Sequence, residues 1–358
     1  MSDSDAPATS RWSPAELTPG YFPAVMATGI VSVGALLTGH GILAAVLFWC
    51  AIVLYAVLIV LTGWRLIAHR DRVVADFRSP SRAFVFFTFI AATNVIATGF
   101  LGTGRSDFAR ALLIVSVLAW LILGYVIPWT AVLGSSHRPM LDSANGTWFI
   151  WVVASQSVAV VAAGLDPLDE RFRDVLSVLA VTAWSIGVIL YGACAIFVTL
   201  RIMLYRLDPE DLDPPYWVAM GALAITVVAG ARIVQMPDAP MVNATRELIA
   251  GLSVVFWSFA TWLIPVLFAA GVWRHWFHRV PLRYQPTLWS FVFPMGMYAV
   301  AGIYLGRADR LPLVETVGSA WFWLSLLVWA LTAGAMLVSA GQRLIGGRAR
   351  TRSNVNRR

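Results

Sequence analysis

The chain has 358 residues, of which 59% are hydrophobic and only 13% are charged, and its mean hydropathy is +0.74. A soluble globular domain carries about 25% charged residues, so this composition excludes that class. The apolar residues form runs of about 20 residues without the alternation of a transmembrane β-strand. The chain is therefore predicted to be an all-α polytopic membrane protein.

Ten membrane-spanning helices are predicted in a single domain, 19–340, between a short amino-terminal tail, 1–18, and a basic carboxy-terminal tail, 341–358. No basic segment with an apolar core behind it precedes the first span, so we expect no cleaved signal peptide. The spans are placed near 19–38, 42–67, 83–102, 108–133, 146–164, 175–200, 215–235, 248–273, 286–306 and 314–340.

The arginines predict the orientation. The net charge is +7 and all 26 basic residues are arginine. The side that carries both termini holds 18 of them and the opposite side holds 8, so the positive-inside rule places both termini in the cytoplasm of a multi-pass inner or plasma membrane protein. The arginines follow helix ends, where they face the lipid bilayer or water, and we expect no binding to nucleic acid.

The spans alternate between two kinds of helix. Even-numbered spans are bulky, as in ILAAVLFWCAIVLYAVLIVL from Ile42, whereas odd-numbered spans are small and polar, as in YFPAVMATGIVSVG from Tyr21. The odd spans begin with aromatic residues at Tyr21, Phe84, Trp148, Tyr216 and Trp289. This regular spacing indicates a repeated helical hairpin. We predict five hairpins around a central pore, with the odd-numbered helices on the inside.

Charged groups are absent from the middle of every span. All 19 carboxylates lie in tails, loops or outermost turns, and none of the five histidines is at mid-span. Proton relays and zinc enzymes need such groups within the membrane, so neither an enzyme nor a metal or other cofactor is expected. Cys50 and Cys194 each lie inside an apolar run, so we expect neither a disulfide framework nor a metal site from them.

The polar residues at mid-span are neutral, and they are candidates for the pore lining. Hydroxyl and amide groups donate hydrogen bonds to an anion without trapping it. The alternative role is hydrogen bonding between helices. Asn94 and Gln156 are the strongest candidates because a buried amide without a partner is costly. The candidates are Thr28, Ser32, Thr93, Asn94, Ser155, Gln156 and Thr226, and Ser157 is a further neutral polar residue at mid-span.

Two further features mark the proposed pathway. Arg232 ends span 7 and is expected at the external mouth, where it would attract anions or pair with lipid phosphate. Span 9 contains Pro294 and Gly296, two poor helix formers whose broken backbone is tolerated only against protein or a water-filled cavity. Phe293, just before the proline, is either a plug in the pore or a packing residue.

TPGYFPAVMATGIVSVG from Thr18 and WSFVFPMGMYA from Trp289 resemble the tellurite-resistance/dicarboxylate transporter family, which includes fungal malate and sulfite transporters and plant slow anion channels. The resemblance implies ten helices in five hairpins, a homotrimer with one pore in each subunit, and a phenylalanine on helix 9 that blocks the pore. Phe293 matches that position. Phe291 would lie about 200° around the helix, facing away from the pore.

Three functions remain open. The first is a channel for small inorganic or organic anions, gated by Phe293 with Pro294 and Gly296. The second is a proton-linked carrier or exporter of a dicarboxylate or sulfite, in which protons travel on the substrate. The third is a membrane sensor that transports nothing. The family's substrates include chloride, nitrate, malate, sulfite and tellurite-linked chemistry, and these spans do not select among them.

Overall fold

A computed structural model describes residues 19–134, 140–168 and 170–355, and within them every regular element is helical. The predicted tail 1–18 lies outside the described residues. The first half of the chain forms α1 (Phe22–Leu37), α2 (Gly41–Ala68), α3 (Arg70–Arg78), α4 (Phe87–Gly102) and α5 (Ser106–Ile127). The second half forms α6 (Phe149–Leu165), α7 (Arg173–Leu204), α8 (Val218–Val234), α9 (Pro240–Val272), α10 (Trp289–Ala308) and α11 (Pro312–Val355).

The predicted all-helical, polytopic class is confirmed, and the main departures from the sequence prediction are two helix boundaries and one additional helix. Helix α9 begins at Pro240 rather than near 248, since proline is well tolerated in the first turn of a helix. Helix α11 continues past 340 to Val355. The short helix α3 was not predicted, because its sequence RDRVVADFR is too polar to resemble a membrane span.

Each odd-numbered span is entered through a turn of 3-10 helix. The aromatic residues that mark the repeat lie in these turns, or at Trp289 directly after the last one. Tighter 3-10 turns are common at helix ends, where backbone N–H groups lack α-helical partners. The five turns are Pro19–Tyr21, Ala83–Phe86, Gly146–Trp148, Pro214–Trp217 and Pro286–Leu288. The repeat is therefore structural as well as compositional.

The helices form two concentric rings. Helices α1, α4, α6, α8 and α10 contact one another in that order, and α10 returns to α1, which closes an inner ring. In four of these spans 61–89% of the 18-residue apolar stretch is buried, against 17–28% of the corresponding stretch in α2, α5, α7, α9 and α11. Residues 22–35 of α1 are buried throughout. The bulky even-numbered spans, which are α2, α5, α7, α9 and α11, thus form the outer ring, as predicted.

Small residues allow close contact between α10 and α11. A Cβ atom added to Gly302 would lie 2.9 Å from the Cα atom of Gly318, and one added to Gly318 would lie 2.7 Å from the carbonyl oxygen of Ala299. Neither position has room for a side chain. Small residues at such crossings let two backbones approach without leaving a void.

The ring has two faces. We call the N-face the end where the inner helices begin, at Tyr21, Phe84, Trp148, Tyr216 and Trp289, and the C-face the end where they finish, at Leu37, Gly102, Leu165, Val234 and Ala308. The sequence prediction assigns the N-face to the cytoplasm.

A buried ion cluster fastens α3 to the N-face end of α2. The guanidinium of Arg65 donates to Asp76 at 2.6 Å, and Arg82 donates to the other carboxylate oxygen at 2.9 Å. The side chains of Arg65 and Asp76 are only 5% and 7% exposed, whereas that of Arg82 is 62% exposed. The carboxylate therefore pairs with one buried cation and one cation in contact with water.

Candidate functional site

A central cavity lies between all five inner helices. Its volume is about 20 Å³, enough for roughly one water molecule. Each inner helix contributes to the lining, which makes the cavity axial. The lining consists of Ile30 and Val33 from α1, Asn94, Val95 and Thr98 from α4, Ser157 and Val160 from α6, Ile225, Val228 and Arg232 from α8, and Met297, Val300 and Tyr304 from α10.

A second, larger cavity of about 140 Å³ lies off the axis, between α1, α2 and α4 toward the C-face. Its rim includes Leu36, Gly41 and Ala45, which are exposed at the surface. The two cavities share four lining residues, Val33, Thr98, Arg232 and Tyr304. The shared wall places the axial cavity next to a space that opens toward the C-face.

Phe293 lies on the face of α10 that lines the axial cavity. Met297, Val300 and Tyr304 line it, and they follow Phe293 at intervals of four, seven and eleven residues. Residues at these intervals share one face of an α-helix. Phe293 is 1% exposed. It lies about one helical turn, or 5.4 Å, closer to the N-face than Met297.

Phe291 points elsewhere. Its ring meets the ring of Trp217 edge to face, with centroids 4.5 Å apart and planes at 76°. The two phenylalanines of the opening motif of α10 therefore differ in environment, and Phe291 is the natural comparison for Phe293.

Pro294 and Gly296 are packed against protein on both sides of α10. A Cβ atom added to Gly221 of α8 would lie 2.8 Å from Cγ of Pro294, so that glycine makes room for the proline ring. A Cβ atom added to Gly296 would lie 2.7 Å from Cγ2 of Ile30 on α1. Both residues are buried. The weak turn of α10 is thus closely packed against both neighbouring inner helices.

Asn94 and Ser32 are the predicted polar residues that line a cavity. The amide of Asn94 donates to Oγ of Ser157 at 2.9 Å and accepts from Oγ of Ser116 at 2.7 Å, beside the axial cavity. Ser32 lines the second cavity while its hydroxyl donates to the carbonyl of Ala44 at 2.7 Å. Asn94 is held rigidly by partners on two other helices.

Thr28, Thr93 and Ser155 face the outer ring instead. Each hydroxyl oxygen forms a hydrogen bond with an aromatic side chain on a neighbouring outer helix. The pairs are Trp329 Nε1 with Thr28 Oγ1 at 3.0 Å, Tyr55 Oη with Thr93 Oγ1 at 2.8 Å, and Trp120 Nε1 with Ser155 Oγ at 2.9 Å. None of the three lines either cavity.

Related contacts join outer and inner helices at the other two junctions, with a backbone carbonyl as acceptor at one and the aromatic residue on the inner helix at the other. Trp184 Nε1 on α7 donates to the carbonyl of Thr226 on α8 at 3.1 Å, and Thr261 on α9 bonds to Oη of Tyr298 on α10 at 2.7 Å. We call these five contacts the aromatic belt. Gln156 joins it, since its amide donates to the carbonyl of Trp184 at 3.1 Å. The hydroxyl of Thr226 donates to the carbonyl of Ala222 within α8.

The belt predicts a modest effect for Ser155→Ala. The change leaves the buried Trp120 N–H without an acceptor and should lower the free energy of unfolding by about 1 kcal/mol. Because Ser155 does not line a cavity, anion flux into proteoliposomes should be unchanged. Asn94→Ala, which removes a lining amide, should lower flux in the same assay. A large flux change in Ser155→Ala would instead place that hydroxyl on the pathway.

Arg232 carries the only charge in the lining of either cavity, as far as the structure describes them. Its Nη2 donates to Oη of Tyr304 at 2.6 Å, and its guanidinium carbon lies 4.9 Å from the centre of that ring. Nη1 donates to the carbonyl of Val160 at 3.4 Å. Tyr304 had no sequence signal except its place on the stripe that begins at Phe293.

The sequence matches known proteins over most of its length. Residues 16–337 match the profile of the family described as voltage-dependent anion channel, SLAC1. An uncharacterized membrane protein of Mycobacterium tuberculosis is 59% identical over 148 residues, which cover 41% of this chain and 75% of that protein. An uncharacterized transporter of Methanocaldococcus jannaschii is 23% identical, over 88% of this chain and 90% of its own. The sulfite efflux pump SSU1 of Trichophyton rubrum is 22% identical, over 87% of this chain and 88% of its own.

Proposed function

The chain belongs to the voltage-dependent anion channel family, and on that basis we propose that it is a channel for small anions, closed at rest by the ring of Phe293. Anions would cross along the axis of the inner ring. The observation that carries the proposal is a closed ring of five buried helices, rich in small residues, around a central cavity. Every one of the five helices contributes residues to the lining of that cavity. A bundle whose helices merely packed together would need no polar groups on its axis.

The gate assignment follows from position and chemistry. Phe293 is the bulkiest side chain on the cavity-facing stripe of α10 apart from Tyr304, and it is almost completely buried. An apolar ring in a narrow bore excludes water, and hydrophobic constrictions close channels by dewetting. Pro294 leaves the carbonyl of Ser290 without its helical partner, so the turn that carries the ring is the easiest part of α10 to deform.

The lining favours small anions with low charge. Its polar groups are neutral apart from one arginine, and a dicarboxylate would require a second cationic anchor. The sulfite efflux pumps among the relatives support sulfite as a candidate beside chloride and nitrate. Malate is the less favoured candidate on this argument.

A proton-linked carrier is the second candidate, and the sulfite efflux pumps among the relatives are the observation that favours it. Its weakness lies in the linings of the two cavities, where the described side chains include no carboxylate and no histidine. Protons would therefore have to cross on the substrate, as hydrogen sulfite, for example.

Proteoliposomes distinguish the two candidates. With wild-type protein and gradients of chloride, nitrate, sulfite or malate, a closed channel should give slow flux that follows membrane voltage and does not saturate. A carrier would give saturable flux that rises with a proton gradient and shows no single-channel events. Cation flux equal to anion flux would contradict both candidates.

The assembly and location are proposals as well. We expect a homotrimer with one pathway in each subunit, in the inner or plasma membrane with both termini cytoplasmic. The family resemblance supports the homotrimer, and the arginine distribution supports the membrane orientation. Mass measurement of the protein in nanodiscs tests the trimer, and accessibility of a cysteine introduced at Thr103, an exposed C-face residue, tests the orientation.

A further inference from the structure

Arg232 is a partly buried cation without a described counter-ion. No carboxylate of the described residues lies within salt-bridge distance of its guanidinium, although seven other ion pairs form in the same part of the chain. Burial of an unpaired charge is costly, so such a group is normally paired or bound to a ligand. Its position on the shared wall of the two cavities leaves it accessible to a ligand from the C-face.

The donors at this position exceed the acceptors that protein supplies. Nε of Arg232 is buried and has no hydrogen-bond partner among the described residues. Tyr304 accepts at its hydroxyl oxygen from Nη2 of Arg232, so its own hydroxyl proton stays available for another acceptor. A cation, a free guanidinium N–H and a free phenol O–H therefore lie together beside a cavity, and all three favour an anion.

From these donors we infer that Arg232 and Tyr304 form an anion-binding site at the junction of the two cavities, which takes one small monovalent oxyanion such as nitrate or hydrogen sulfite. The inference rests on the proposed function and names its substrate class. The planar guanidinium matches two oxygen atoms of one anion, which a spherical chloride lacks. One cation balances one negative charge, and neither lining provides another.

The same donors would also suit the phosphate of a lipid headgroup that reached in through the second cavity. The chain belongs to an anion channel family, which favours a free anion from water as the occupant. We therefore assign the site to a free oxyanion, and the lipid source becomes an outcome of the test.

The test measures binding without transport. Thermal unfolding of the full-length protein in neutral-lipid nanodiscs is followed with increasing sodium nitrate, hydrogen sulfite or chloride, with sodium gluconate keeping ionic strength constant. An anion that binds the folded state raises Tm in a saturable way. We expect nitrate and hydrogen sulfite to bind more tightly than chloride. Arg232→Gln should weaken nitrate binding by about a hundredfold and Tyr304→Phe by about tenfold.

Two controls keep the result interpretable. Arg105→Gln removes an equal charge from an exposed C-face residue outside both linings and should bind nitrate like wild type. Arg232→Lys keeps the positive charge but loses the paired N–H donors of the planar guanidinium. This variant should fold and bind nitrate with intermediate affinity. Equal saturable binding by wild type and Arg232→Gln would overturn the site. Loss of nitrate binding when anionic lipid replaces neutral lipid would assign it to a headgroup and also overturn it.

The binding result is independent of the proposed transport. Arg232-dependent nitrate binding in a protein that carries no anions would uphold this site and contradict the channel. Anion flux with no Arg232-dependent binding would uphold the channel and contradict this site.

Discussion

Phe293→Ala is expected to raise anion flux into proteoliposomes by about tenfold or more. Removal of the ring takes away the apolar obstruction one turn below the axial cavity, and lowering the barrier by about 1.4 kcal/mol is enough for a tenfold change. The alanine variant should remain selective for anions over cations, because Arg232 and the neutral lining are untouched. Flux of chloride and nitrate is measured with an anion-sensitive dye at fixed membrane voltage.

Phe291→Ala is the matched control for this experiment. It removes the same ring two residues earlier on the same helix, where the ring packs against Trp217 rather than along the cavity-lining stripe. The control should lose some stability and leave flux unchanged. Size-exclusion profiles and Tm values establish that both variants are folded. If Phe293→Ala is folded and its flux equals that of wild type, Phe293 is a packing residue and the gate lies elsewhere.

Asp76→Ala is expected to destabilise the protein by about 3–5 kcal/mol, the usual effect of removing one partner from a buried ion pair. The change leaves Arg65, which is 5% exposed, without the carboxylate that neutralises it. It also releases α3 from the N-face end of α2. The measurement is the free energy of unfolding in mixed micelles, or the fall in Tm where unfolding is irreversible.

A double variant separates lost charge pairing from lost packing. Arg65→Met combined with Asp76→Leu replaces the pair by apolar side chains, and it should recover most of the stability because no buried charge remains. Asp107→Ala removes the carboxylate of an ion pair at the protein surface, 90% exposed, and should have little effect. A loss in the double variant as large as in Asp76→Ala would show that packing, not charge, holds this junction.

The architecture follows from the distribution of side-chain size along the sequence. Small residues in the odd spans permit close backbone approach, as at Gly221 and Gly296, while the bulky even spans need lipid beside them. Because five pairs repeat this contrast, the inner and outer rings could be predicted before any contact was known. The aromatic residues that begin the odd spans could also be identified from the sequence. Each of them lies in, or directly after, the 3-10 turn that precedes its inner helix.

The direction in which each polar side chain points was decided only by the tertiary structure. Thr28 and Ser32 are one turn apart on α1, yet Thr28 bonds to Trp329 of α11 and Ser32 to the carbonyl of Ala44 on α2. Composition shows that a hydroxyl lies at mid-span, but its partner depends on how the helix is rotated within the ring. The hydroxyls of three candidates for the pore lining, Thr28, Thr93 and Ser155, therefore belong to the aromatic belt.

The pairing of Arg232 with Tyr304 has the same origin. Seventy-two residues separate them, and no local pattern relates the end of α8 to the end of α10. Closure of the inner ring brings these helices side by side and places the guanidinium over the phenol ring. The sequence by itself determined which helices form the inner ring, because side-chain volume controls helix approach. Only the closed ring decided which side chains meet on its axis, because that depends on contacts distant in the sequence.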